Sequence, residues 1–126
     1  MVQCSKTLLC GAREVKIMYD KSQMMRGTLE GCILKIISIE PTYGYEIVMI
    51  LQKFGFEDVK EGTIYPLLIR LEKKEIITSE FRASPLGPSR KYYSLTEAGR
   101  NTLNDFTKCW QSVSDTVNTI LRLGEE

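Results

Sequence analysis

From Gly27 to Glu40 the apolar residues Leu29, Ile33, Ile36 and Ile37 recur at helical spacing. The run stops before Pro41, because proline pushes the residue preceding it out of the α region. After the turn Pro41-Thr42-Tyr43-Gly44, a second stripe of Ile47, Ile50, Leu51 and Phe54 predicts another helix, with Gly55 as its stop. A link over 56–60 leads to a third, with Ile64, Leu67, Leu68 and Leu71 on its inner face. Short amphipathic helices joined by a tight, glycine-containing link predict a helix-turn-helix.

Past Lys74 the period drops to two. Ile77, Ser79 and Phe81 alternate with Thr78, Glu80 and Arg82, and Lys91, Tyr93 and Leu95 alternate with Arg90, Tyr92 and Ser94. Residues 83–89 between them read as a loop by their prolines and glycine, so a two-stranded wing is expected. Thr96 then stands at a cap position with Glu97 beside it, although Gly99 occupies the place where a capping box holds Glu. Leu103, Phe106, Trp110, Val113, Val117 and Ile120 follow in steps of three and four, a heptad seam. Such a seam exceeds what one small subunit needs for its own core, and it predicts a homodimer. The expected class is mainly α with a small β-wing. An N-terminal extension or arm covers 1–22, a winged helix-turn-helix DNA-binding domain 23–95, and a long C-terminal dimerisation helix 96–126.

Composition narrows this picture. The 126 residues fit one domain, and no apolar run is long enough to span a bilayer. Leu8-Leu9-Cys10 is too short for a secretory signal core, so a cytoplasmic protein is expected. Without histidine, a tetrahedral zinc set would need Cys4, Cys10, Cys32 and Cys109 together, and none of them forms a CxxC pair; reduced thiols and no metal are expected. Net charge is +1, unevenly spread: residues 1–59 carry seven basic and seven acidic groups, 60–100 carry eight and five, and 101–126 carry two and four. The resulting balances of 0, +3 and −2 put the positive excess on the third helix and wing. With no histidine, no glycine-rich phosphate loop and no base next to a cysteine, neither an enzyme nor a cofactor is expected.

Burying Ile64, Leu67, Leu68 and Leu71 turns Gly62, Pro66, Ile69 and Lys73 outward, flanked by Thr63, Tyr65 and Arg70. Tyr65 and Ile69 suit thymine methyls, Thr63 a base edge or phosphate, and Arg70 a guanine or phosphate. Pro66 lacks a backbone donor and is expected near the helix start. Ser89, Arg90 and Lys91 on the wing suit phosphates or the minor groove, and Tyr43 and Lys60 complete the expected double-stranded DNA contact set. Two rival readings are a winged-helix protein-interaction module and a thiol redox sensor using Cys32 or Cys109. The first has no need of Arg70 or the basic wing pair.

Four runs carry a resemblance: Arg26-Gly27-Thr28-Leu29-Glu30-Gly31, Tyr43-Gly44-Tyr45-Glu46-Ile47, the stretch Glu61-Gly62-Thr63-Ile64-Tyr65-Pro66-Leu67-Leu68 with Arg70-Leu71-Glu72, and Gly87-Pro88 with Arg90-Lys91-Tyr92-Tyr93, Leu95-Thr96 and Gly99. In this order they resemble the PadR family of bacterial transcriptional regulators, in particular its short subfamily with a single C-terminal helix. The resemblance spans about 18–122. It implies a winged-helix homodimer that usually represses, binds a dyad-symmetric operator and is relieved by a ligand or stress. Some branches respond to phenolic acids or flat aromatic drugs held between subunits, and the Phe106-to-Trp110 run matches the place where a Trp stacks on ligand. Trp110 is therefore the expected effector contact. Lys60 departs from the pattern where many relatives have a capping Ser, as does Glu75, followed by Ile76, where a Gly often closes the third helix.

Overall fold

The computed structural model describes the backbone of residues 7–10 and 13–16 and, in full, residues 19–125. Strands β1 (Thr7–Cys10) and β2 (Arg13–Lys16) pair antiparallel, with Thr7 opposite Lys16. The remainder of the expected arm below Tyr19 lies outside the described residues. Helix α1 (Lys21–Met25) is capped by Asp20, whose carboxylate accepts from the Ser22 and Gln23 amides. A 3-10 turn over Arg26–Thr28 leads into α2 (Leu29–Ile39). Then come β3 (Thr42–Tyr43), α3 (Gly44–Lys53), α4 (Glu61–Lys73), β4 (Ile77–Ser84), β5 (Gly87–Leu95) and the long α5 (Glu97–Leu121).

The core joins α2, α3, α4 and the base of the sheet through Leu29, Ile33, Leu34, Ile37, Ile47, Val48, Leu51, Ile64, Leu68, Leu71, Ile77 and Tyr93. Three apolar residues assigned to inner faces lie outside it: Ile50, which is only half-buried, Phe54 and Phe81. Phe54 is 76% exposed because α3 ends at Lys53, and Val48 is buried on the inner face of the helix instead. Phe81 is 71% exposed because the wing runs past the helices, and no described helix covers its inner face there.

The wing also differs from a two-stranded ribbon with a seven-residue loop. Its strands continue to a two-residue turn at Pro85-Leu86, with Ser84 opposite Gly87 and an irregularity between Arg82 and Ser84. Ser89 thus lies within β5 rather than in a loop. A third strand joins through Thr42 opposite Tyr93 and Tyr43 opposite Tyr92, giving the order β3-β5-β4.

The α4–β4 junction is a tight stop. The Ile76 amide donates to the Leu71 carbonyl at 3.0 Å and the Glu75 amide to that of Glu72 at 2.9 Å, the paired bonds of a Schellman closure. Glu75 itself adopts φ +61°, the left-handed conformation that a glycine would hold without a Cβ penalty. Thr96 starts α5 by accepting from the Gly99 amide at 3.0 Å while donating to the Glu75 carbonyl at 2.7 Å. A Cβ on Gly99 would sit 2.2 Å from the Ile76 carbonyl oxygen, so this close approach bars the glutamate of a capping box.

Candidate nucleic-acid interface

Helix α4 buries Ile64, Leu68 and Leu71, with Leu67 half-buried, and leaves Thr63, Tyr65, Pro66, Ile69, Arg70 and Lys73 exposed. All six expected contact residues on this helix therefore share its outward surface. Pro66 is the sixth helical residue, one turn deeper than expected, and forgoes the usual bond to the Gly62 carbonyl. Lys60 occupies the N-cap without bonding a first-turn amide through its side chain, so its ammonium stays exposed at the positive helix end.

Tyr65 has a double setting. It is 39% exposed, yet its ring lies so close to Gly44 that a Cβ there would meet it at 2.6 Å. The start of α3 thus fixes the ring beside a cleft of about 290 Å³ that opens toward Ser89, Arg90 and Lys91 of β5. Tyr43, half-buried on β3, lines the same cleft.

Arg90 and Lys91, adjacent in sequence, go to opposite faces of the sheet. The Arg90 guanidinium sits over the Tyr43 ring at 4.4 Å. Lys91 Nζ lies 3.1 Å from Glu72 Oε1 and 5.7 Å from the Tyr93 ring centre. Glu72 also accepts from Ser79 Oγ at 2.5 Å, so one carboxylate near the end of α4 is bonded to both wing strands. The Ser79 hydrogen bond and the Lys91 charge hold the Glu72 carboxyl below its ordinary range, and the Glu72 bond raises the Lys91 ammonium above its own. Arg70 Nη2 pairs with Glu30 Oε2 of α2 at 2.7 Å.

Sequence reasoning missed Glu30 and Glu72 as partners of these cations, and it missed Arg82. Arg82 lies directly opposite Arg90, sits 4.7 Å above the Tyr92 ring and donates to Glu80 at 3.0 Å. Only the strand register brings the two arginines together.

On α5 the heptad stripe divides. Leu103 and Phe106 are partly buried, Phe106 so close over Gly31 of α2 that a Cβ there would fall 2.3 Å from its ring. Trp110, Val113, Val117 and Ile120 are 49%, 47%, 45% and 57% exposed.

The family model of the transcriptional regulator PadR-like family matches residues 33–105, the stretch from within α2 to the first turns of α5. A PadR-like transcriptional regulator from Bacillus cereus is similar at 52% identity, covering 82% of this chain and 99% of its own, with a TM-score of 0.75. A Streptococcus transcriptional regulator follows at 44% identity, 78% and 96% coverage and a TM-score of 0.72. An uncharacterised protein of Lysinibacillus sphaericus is 34% identical over 80% of this chain and 94% of its own.

The chain belongs to the PadR-like family of transcriptional regulators.

As a PadR-like regulator it is a DNA-binding protein and not an enzyme. No helix among its described residues is long and apolar enough to cross a membrane. Of its described thiols, Cys109 is exposed, and burial pushes the Cys32 thiol up, which disfavours the thiolate that redox chemistry needs.

Proposed function

We propose that this PadR-like regulator acts in the cytoplasm as a homodimer on a dyad-symmetric operator, as a repressor released by a small planar aromatic ligand. Thr63, Tyr65, Pro66 and Ile69 face bases in the major groove, and Lys60, Lys73, Tyr43, Ser89 and Arg90 hold backbone phosphates. Arg70 and Lys91 join them by exchanging Glu30 and Glu72 for DNA. For Arg70 that exchange costs little, since an exposed ion pair is worth about 0–1 kcal/mol.

One observation carries the dimer: Trp110, Val113, Val117 and Ile120 form an apolar stripe on α5 that stays about half exposed among the described residues. A second copy of the same stripe is the natural cover, because a two-fold contact pairs each patch with itself. Footprinting of a promoter fragment retained from the protein's own genome tests this, with half-sites expected about 10 bp apart, ~34 Å along the axis. Val113→Asp places a charge in the seam and is expected to abolish dimer and operator binding together. A monomeric Val113→Asp that keeps wild-type affinity refutes the coupling.

The ligand reading rests on Trp110. Two such rings at a two-fold interface form a slot for a flat aromatic. Planar dyes and phenolic acids are expected to quench Trp110 emission, and Trp110→Ala to lose the ligand while keeping some DNA affinity. Emission unchanged up to the solubility limit moves the effector site elsewhere.

A further inference from the structure

Arg82 and Arg90 occupy directly opposed positions of the β4–β5 ladder. Side chains so placed have Cβ atoms ~5 Å apart, where like charges repel. The chain separates the two guanidiniums without neutralising both. Arg82 donates to Glu80 at 3.0 Å, whereas Arg90 has no carboxylate partner among the described residues.

Instead each rests on a ring, Arg82 at 4.7 Å from the Tyr92 centre and Arg90 at 4.4 Å from that of Tyr43. The two rings meet edge to face at 5.4 Å. Arg82, Tyr92, Tyr43 and Arg90 therefore form a continuous ladder on the outer face of the sheet. Ring contact restrains a guanidinium without consuming its N–H donors, which remain free for a bidentate oxyanion. Two restrained cations side by side, with donors to spare, suit a tetrahedral anion whose two unesterified oxygens can each meet one fork. Arg90 and Tyr43 also line the cleft beside Tyr65, so the ladder runs outward from the recognition helix along the wing. In the DNA-binding reading above, the wing lies against the backbone that flanks the bases read by α4.

We propose that Arg82 and Arg90 together seat one phosphodiester group of the DNA backbone flanking each half-site, with Tyr92 and Tyr43 as their supports. This rests on the DNA-binding reading above and adds Arg82 to it. Single methylphosphonate linkages, which are uncharged, can be walked through the flanks of the operator and titrated against the wild type and the Arg82→Ala/Arg90→Ala double variant, once equal thermal midpoints establish that both are folded.

The wild type is expected to lose about tenfold in affinity at one flanking linkage per half-site, the scale of a charge-assisted hydrogen bond. The double variant should show that loss on ordinary DNA and no further loss at the same linkage. Its slope of log affinity against log salt should fall by about 0.9 per half-site, the value for one phosphate rather than two. Equal methylphosphonate penalties in wild type and variant at every linkage overturn the seat, as does an Arg82→Ala with wild-type affinity and slope. A wild type that retains no promoter fragment overturns the DNA-binding reading itself, and the seat with it.

Discussion

Glu75 closes α4 in a conformation that costs a residue with a Cβ about 1–2 kcal/mol. Its amide and that of Ile76 still complete the closing bonds, so the backbone gains nothing from this particular side chain. Glu75→Gly relieves the strain but gives the unfolded chain more freedom, worth about 0.5–1 kcal/mol in the opposite sense. A net gain of about 0.5–1 kcal/mol is expected, seen as a higher urea midpoint at unchanged slope. A midpoint that stays put or falls contradicts it. The sequence places Glu75 where related chains often carry glycine, and the left-handed φ at that position is the physical meaning of the departure. Tyr65 is the opposite case, since nothing in the sequence says that Gly44 would hold its ring.

At the scale of elements, helical periodicity was enough to read α2, α3 and α4, because each buries a stripe against the same core. It misled at Phe54, where the stripe continues in sequence after the helix has ended. Strand β3 was illegible, since two residues between helices carry no period. The turn was misread for a related reason: prolines and glycines predict irregular chain, yet Gly87 and Pro88 lie in β5. The outward residues of α4 were legible together, whereas the ion pairs behind them depend on register and helix packing that one sequence does not display. Glu72 shows what these pairs do, linking α4 to both wing strands. Its depressed acidity contributes stability that is complete above the ordinary glutamate range and is lost as pH falls through the lower folded value. The raised Lys91 ammonium loses its contribution only at alkaline pH, beyond the usual lysine range. The thermal midpoint of the wild type is therefore expected to exceed that of Glu72→Gln by a constant margin above the ordinary glutamate range and to converge on it as pH falls through the lower folded value. A margin indifferent to acid rules out the ionised brace.

In the proposed dimer, reading bases falls to one end of the molecule and pairing subunits to the other, and among the described elements α5 joins them. Only its first turns rest on the winged helix, with the Phe106 ring set into the notch left by Gly31. From Phe106 to Ile120 the helix reaches about 21 Å beyond that seat. It is a gauge arm: in the proposed dimer, its angle at the notch fixes how far apart the two reading heads stand. A tilt of about 10° moves the far end by roughly one base-pair rise of 3.4 Å. Gly31→Ala wedges the ring outward, and it is expected to change the preferred half-site spacing by about one base pair while leaving the preferred half-site bases as they are. Selection from a library of operators with graded spacers measures this directly, and an unchanged spacer optimum would move the gauge away from the notch. Chains of this architecture could then acquire new operator geometries through a single methyl group far from any base.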